Sequence, residues 1–134
     1  MVGRALVAVD GSPMSHEAFD WAVGQYGDAE IYVVNVVHPS DTSHPEGALV
    51  ERHRVLVGGH GDLLDSYEAA DVDVEKRLAV GRKEANAVVE AAEEIDADLV
   101  VVGSHGREGA ARVLLGSVAE AVVRRSHVPV LVVR

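Results

Sequence analysis

Residues 99–106 read Leu99-Val100-Val101-Val102-Gly103-Ser104-His105-Gly106, an unbroken apolar run followed at once by a loop that contains two glycines. The run is rich in β-branched residues and does not alternate apolar with polar side chains. That pattern is typical of a strand covered on both faces in a parallel sheet. Ligands of open parallel sheets bind beyond the carboxyl ends of such strands. This stretch therefore predicts a buried parallel strand that ends at a binding edge.

Four other stretches predict the remaining strands of the sheet. Three are almost continuously apolar and one alternates in part, which places the last nearer an edge. The continuous ones are Ala5–Val9, Ile31–Val37 and Val128–Val133, and the alternating one is Val72–Val80.

Helical periodicity fills the gaps between the strands. Apolar residues recur at helical spacing over Ser15–Tyr26, Glu84–Ile95 and Ser117–Arg125. A further helix is predicted from about Arg52 to Ala70, weakened by the glycines of the Gly58–Gly61 stretch. The polar stretch His38–Gly47 predicts a loop. The resulting order, βαβαβαβαβ, predicts an α/β fold with one doubly wound, five-stranded parallel sheet of Rossmann-like type.

Length, charge and composition bound the class of protein. The chain has 134 residues, no cysteine and a formal net charge of −10. One domain spanning residues 1–134 is expected, without disulfides or thiol chemistry. The acidic balance argues against nucleic acid and anionic membranes as partners, because both need a basic footprint. No apolar run approaches the roughly 20 residues of a membrane span. A cytoplasmic location is expected.

Lysine is scarce in this acidic chain. Lys76 and Lys83 are the two lysines among 12 basic residues, whereas Asp and Glu total 22. Such a balance resembles proteins of salt-accumulating halophiles, and it also fits an ordinary acidic protein from a GC-rich genome. Both interpretations remain open.

The glycines after the central strand form the most specific motif. Neither a Walker A loop nor a G-x-G-x-x-G fingerprint is present. What remains is Gly103-x-x-Gly106-x9-Gly116-Ser117, whose last pair opens a predicted helix. Glycines let backbone N–H groups approach phosphate oxygens, and a helix N-terminus favours an anion. The alternative is purely local, because Ser117-x-x-Glu120 matches a capping box and Ser117 then serves as the cap of its helix.

The same motif carries a family resemblance. Residues 103–107, 114–120 and 127–133, preceded by Ala5–Ser12 and Ala97–Gly103, resemble the universal stress protein family and its ATP-binding branch. The resemblance covers nearly the whole chain. It implies the strand order 3-2-1-4-5, a bound ATP with Mg²⁺ or Mn²⁺ held through the phosphates, and a homodimer formed through the last strand, Val128–Val133.

The resemblance also assigns roles to individual residues. Gly103, Ser104 and Gly106 belong to the loop that lines the phosphate and ribose side. Gly116 and Ser117 hold the distal phosphates with the backbone at Val118. Asp10 lies against the nucleoside, and the backbone of Val36 contacts adenine. Arg107 and Arg112 lie within the glycine motif, between Gly106 and Gly116, and are candidates to offset phosphate charge.

Several of these residues also have a local explanation. Asp10-Gly11-Ser12-Pro13 is a good turn sequence, with Ser12 as a candidate N-cap before Pro13. Asn35 stands where many members of the family have histidine. No two histidines have i, i+4 spacing, so no protein-held metal site is predicted.

Three functional hypotheses follow from the sequence. The first is an ATP-binding stress-response regulator with at most slow hydrolysis. The second is a nucleotide-free protein-interaction module of the same fold. The third is an enzyme of the wider adenine-nucleotide alpha-hydrolase-like superfamily, which needs an S-G-G-x-D-S loop after the first strand. The chain has Asp10-Gly11-Ser12-Pro13 there, and no acid–base pair marks a catalytic centre.

Overall fold

The computed structural model describes residues 2–51, 60–104 and 115–134, and the side chains of residues 60–62 are left out of the description. Within these ranges the chain alternates between strands and helices. The strands are β1 (Arg4–Ala8), β2 (Glu30–Val37), β3 (Leu49–Glu51), β4 (Val74–Val80), β5 (Leu99–Gly103) and β6 (Val130–Val133). The helices are α1 (Pro13–Tyr26), α2 (His60–Asp65), α3 (Glu84–Glu94) and α4 (Ser117–Arg125).

The strands of the described ranges form one sheet in the order β3-β4-β2-β1-β5-β6. Strand β1 lies in the interior, paired in parallel with β2 on one side and with β5 on the other. Strands β4 and β6 extend the parallel sheet in either direction. The α/β, Rossmann-like prediction is confirmed, and the five predicted strands keep their predicted relative order.

The prediction of a five-stranded, all-parallel sheet is wrong in its strand count. A sixth strand, β3, pairs antiparallel with β4, with Leu49 opposite Ala79 and Glu51 opposite Arg77. It follows the predicted loop 38–47, which itself contains a short 3₁₀ turn at Pro39–Asp41. Consequently β4, predicted to lie near an edge, is covered by β3 and is not the edge strand.

Both faces of the sheet are covered, as the continuous apolar runs predict. In β1, Ala5 and Val7 point into one core and Leu6 into the other. The first core contains Phe19 of α1 and Leu64 of α2. The second contains Val88 of α3 and Val122 of α4. Helices α1 and α2 therefore lie on one face of the sheet, and α3 and α4 on the other.

The predicted helices are confirmed to different degrees. The bounds of α4 match the prediction, and α1 and α3 differ from it by one or two residues. The predicted helix from Arg52 to Ala70 is confirmed over His60–Asp65, and residues 66–70 are turns and irregular backbone, with Ala69 in an isolated bridge to Val72. The preceding residues 52–59, including Gly58 and Gly59, lie outside the described residues.

Candidate functional site

The carboxyl ends of β1 and β5 meet at the point where the chain reverses its direction of travel across the sheet. After β1 the chain moves through β2 to β4 on one side, and it then returns to β5 and β6 on the other side. This reversal is the topological switch point at which open α/β sheets bind ligands. The predicted site residues before Pro13 and after Val102 flank it.

The turn between β1 and α1 is held by its own side chains. The Asp10 Oδ1 atom accepts a hydrogen bond of 2.9 Å from the Ser12 amide, and Gly11 has a φ of +84°. Ser12 caps α1, because its Oγ accepts the Ser15 amide at 3.2 Å, and Pro13 is the first helical residue. The predicted Ser12 cap and the turn role of Asp10 are both confirmed.

Gly103, at the end of β5, lies against the first turn of α1. A Cβ atom added to Gly103 would lie 2.6 Å from Met14 Cγ and 3.2 Å from the Met14 carbonyl oxygen. Both distances are shorter than ordinary carbon contacts. The missing side chain of Gly103 therefore serves helix packing, a role that the motif alone does not reveal.

Ser104 joins three elements through its backbone. Its amide donates to the Val133 carbonyl at 2.8 Å, and its carbonyl accepts the Gly116 amide at 2.5 Å. The side chain is buried, with 3% of the residue exposed. Ser104 thereby fixes the start of α4 beside the ends of β5 and β6.

Helix α4 begins with a glycine cap. Gly116 is the N-cap, and Ser117 is the first helical residue, so the alternative in which Ser117 caps the helix is wrong. Glu120 donates its amide to the Gly116 carbonyl, and its carboxylate pairs with Arg124 at 2.8 Å. Ser117 is exposed and Val118 is half-buried. The first-turn amides consequently receive no acceptor from the side chain of the cap.

Strand β2 contributes the remaining described candidate. Val36 is half-buried near the end of β2, paired with Ala79 of β4. Its neighbour Asn35 is buried and donates from Nδ2 to the Val9 carbonyl at 2.9 Å. The residue that departs from the family pattern thus ties the end of β2 to the end of β1.

Seven of the predicted site residues lie at the carboxyl end of the parallel strands: Asp10, Val36, Gly103, Ser104, Gly116, Ser117 and Val118. Gly106 and Arg107 lie outside the described residues, as does Arg112.

Tyr67 is a residue of this edge that the sequence does not single out. It is fully buried, and its hydroxyl accepts the Gly11 amide at 3.0 Å. Burial raises the pKa of the Tyr67 phenol, the hydrogen bond from the Gly11 amide opposes the rise, and the nearby Asp10 carboxylate adds to it. The contact spans 56 positions in the chain.

A cavity of about 310 Å³ lies elsewhere, between α3 and the β3–β4 side of the sheet. None of the candidate site residues lines it. Its walls include Leu49, Ala79 and Ala91, together with the acidic residues Glu90 and Glu94. The negative charge of these residues disfavours a phosphate in this cavity.

Comparison with known proteins decides the family. The profile described as the universal stress protein family matches residues 1–134. The chain belongs to the universal stress protein family. Among the described residues, no helix of this family member is long and apolar enough to cross a membrane.

Individual relatives of this universal stress protein agree with that assignment. A universal stress protein of Methanocaldococcus jannaschii is 36% identical over 142 residues, which cover 98% of this chain and 81% of the relative. A universal stress protein solved in complex with cAMP is 32% identical, with a TM-score of 0.64 and coverage of 99% and 97%. One from Archaeoglobus fulgidus, solved with dAMP, is 19% identical, covers 100% and 98%, and shares the fold with a TM-score of 0.65.

Proposed function

We propose that this universal stress protein binds an adenine nucleotide, and ATP in particular, as a regulatory ligand. The observation that carries the proposal is the glycine-capped N-terminus of α4, which is tied to Ser104 at the carboxyl end of β5, one of the two strands that flank the switch point. The first amides of a helix have no intrahelical partner, and the positive end of the helix dipole favours an anion. A phosphate group satisfies both requirements.

The phosphate donors follow from the hydrogen bonds at the start of α4. The Gly116 amide already donates to Ser104, so its role is to shape the turn. The amides of Ser117, Val118 and Ala119 and the exposed Ser117 hydroxyl are the proposed phosphate ligands. Gly106 and Arg107 are proposed to complete this side because of the sequence motif.

The nucleoside half of the proposal has two supports. Asp10 follows β1, and Val36 is the last residue but one of the neighbouring parallel strand β2. The Asp10 carboxylate and the Val36 backbone therefore lie at the same carboxyl end of the sheet as the start of α4. The relative solved with cAMP is 32% identical over nearly the full length of both chains. We propose that Asp10 faces the ribose and that the Val36 backbone contacts adenine.

We propose that a divalent cation, Mg²⁺ or Mn²⁺, binds through the phosphates. Among the described residues no group of three or more His, Asp or Glu side chains is arranged to hold a metal ion. When bound, the cation neutralises phosphate charge, and Mg²⁺ commonly uses substrate phosphates as ligands in this way. The protein's own contribution is the row of amides at α4. The proposed role is regulation in the cytoplasm, with at most slow hydrolysis.

Calorimetric titration of Ser117→Ala with Mg–ATP tests the proposal. Because Ser117 is exposed and is not the N-cap, its loss removes no helix cap. We expect the free energy of unfolding to change by less than about 0.5 kcal/mol. The loss of a charge-assisted hydrogen bond should weaken ATP binding by about 1.5–3 kcal/mol.

Ser126→Ala is the control at the other end of α4, about 13 Å away. The Ser126 hydroxyl bonds to the Val128 backbone, so this variant should lose stability without touching the proposed phosphate ligands. Its affinity for ATP should equal that of the wild type. If the wild type gives no heat and no thermal shift with millimolar Mg–ATP at low and high salt, the protein is a nucleotide-free interaction module. If cAMP binds more tightly than ATP, the adenine nucleotide stands and the assignment of ATP is wrong.

A further inference from the structure

The hydroxyl of Tyr67 lies at the centre of a closed chain of hydrogen bonds around the β1–α1 turn. The Gly11 amide donates to this hydroxyl at 3.0 Å, and the hydroxyl lies 2.6 Å from Ser15 Oγ. The Ser15 hydroxyl donates its proton to the Ser12 carbonyl at 3.0 Å, so in the contact between the two hydroxyls Tyr67 is the donor and Ser15 the acceptor. This series of hydrogen bonds therefore begins at the Gly11 amide and ends at the Ser12 carbonyl of the same turn.

The ring of Tyr67 is fixed by its neighbours. The His16 ring stacks on it with 4.3 Å between centroids, and Phe19 meets it edge-on at 5.5 Å. His16 is itself held, because its Nε2 lies 3.0 Å from Ser66 Oγ. Because the buried ring is packed on both its face and its edge, the position of its hydroxyl is fixed and does not change when the β1–α1 turn moves.

The turn is closely packed at Gly11, whose positive φ is one that glycine adopts readily. Gly11 has a φ of +84°, and an added Cβ would lie 3.1 Å from Leu63 Cδ1. The segment around α2 therefore touches Gly11 from one side, while Asp10 Oδ1 is held by the Ser12 amide on the other. A change in the Gly11 peptide would redirect the Asp10 carboxylate.

We propose that Tyr67 is a positioning residue for the nucleotide site, acting through Gly11 to aim Asp10. This inference rests on the proposed nucleotide binding. It makes residues 63–67, the end of α2 and the turn after it, part of the site although they do not face the ligand. Because coupling between sites is reciprocal, nucleotide binding should in turn protect these residues from opening.

Hydrogen exchange and calorimetry on Tyr67→Phe test the inference. This variant keeps the ring, its stacking and its burial, and loses the hydroxyl. We expect the Gly11 amide to exchange at least tenfold faster, and ATP to bind about 3- to 10-fold more weakly. In the wild type, saturating ATP should slow amide exchange at residues 63–67, and in Tyr67→Phe this slowing should disappear.

Two further variants make the outcome decisive. Tyr26→Phe removes the same hydroxyl at the far end of α1 and should match the wild type in Gly11 exchange and in affinity. Ser15→Ala breaks the same chain at its other end and should change both quantities in the direction of Tyr67→Phe, by a smaller factor.

The inference is overturned if Tyr67→Phe lowers the melting temperature while Gly11 exchange and ATP affinity stay as in the wild type, because Tyr67 then only packs. A wild type that binds no adenine nucleotide overturns the proposed function and the coupling with it. In that case the Gly11 exchange rate still decides whether Tyr67 holds the turn.

Discussion

At the scale of single residues, Gly103 shows how a glycine of a proposed binding motif can be required for packing. We expect Gly103→Ala to lower the free energy of unfolding by about 1–3 kcal/mol, because its Cβ would overlap Met14 and force α1 away from β5. Urea denaturation measures the change.

Gly24→Ala is the control for this substitution. Gly24 lies within α1, and an added Cβ there meets no atom within 4 Å. Replacing an unhindered helical glycine should raise stability by about 0.5–1 kcal/mol. Equal effects of the two substitutions would contradict the packing role of Gly103.

Tyr67 makes a prediction about alkaline pH. Its pKa is raised in the folded protein, chiefly by burial, so the folded state keeps the phenol proton to a higher pH than the unfolded state does. The resulting stability is fully present below the unfolded pKa of about 10 and is lost as pH rises above it. The slope from this group is at most about 1.4 kcal/mol per pH unit.

The measurement is the free energy of unfolding between pH 8 and pH 11.5 for the wild type and Tyr67→Phe. The two proteins differ only at residue 67, so the difference between their two curves isolates the phenol. We expect the free energy of unfolding of the wild type to fall toward that of Tyr67→Phe above pH 10, because the unfolded wild type ionises its phenol more readily than the folded protein does. Parallel curves would show that Tyr67 ionises equally well in both states.

At the scale of elements, the sequence predicts those strands and helices whose apolar faces are buried in the core. The parallel strands and the helices α1, α3 and α4 follow from apolar periodicity, because each has an apolar side to cover. Strand β3 escapes prediction because three residues, Leu49–Glu51, are too short to show alternation. Its pairing with β4 is a tertiary event, set by hydrogen bonds such as Gly47 N–H to the Val80 carbonyl at 2.8 Å.

The site divides in the same way. The glycine motif and the Asp10 turn are visible in the sequence because both are local. Tyr67 is not visible, since its partner Gly11 is distant in sequence and α2 lacks strong periodicity. The sequence leaves the N-cap of α4 open, because the serine motif competes with a glycine one position earlier. The hydrogen bond from Gly116 to Ser104 selects the glycine.

Strand β6 carries a prediction about assembly. It pairs with β5 on one side, and its residues Val130–Val133 are all half-buried. The carbonyls of Pro129 and Val133 accept from β5, so the amides of Val130 and Val132 point to the outer edge. An apolar edge with outward amides favours pairing with a second copy. We expect a homodimer, measured by light scattering at tens of micromolar.

Proline substitutions at neighbouring positions separate the two sides of this strand. Val132→Pro removes an outward amide and should give a folded monomer. Leu131→Pro is the matched variant, and it removes an amide that faces β5, so it should destabilise the fold. A wild type of monomer mass would reject the dimer, and a dimeric Val132→Pro would move the contact to another surface.

At the scale of the whole molecule, charge dominates. The net charge of −10 causes self-repulsion, and exposed ion pairs such as Arg4–Glu30 at 2.8 Å add a small local attraction. Exposed pairs contribute little, and salt screens them along with the repulsion. We expect the melting temperature to rise with KCl from the millimolar to the molar range. A flat or falling curve would contradict the halophile interpretation.

The double variant Glu90→Gln and Glu94→Gln is the control for the salt response. Both residues are exposed on α3, one helical turn apart, where like charges repel. Removing two negative charges should raise the melting temperature in dilute buffer and reduce its dependence on KCl. An unchanged salt response would mean that the effect of KCl is not electrostatic.

The interior position of β1 has a consequence for how the protein is made. A ribosome releases β1 before the other strands of this sheet, and β2 can pair with it early, but the second neighbour, β5, is synthesised some 90 residues after β1. Until Leu99–Gly103 emerges, one side of β1 remains an open, apolar template for other nascent chains. The interval between these two strands is therefore the period in which the nascent chain most needs a chaperone.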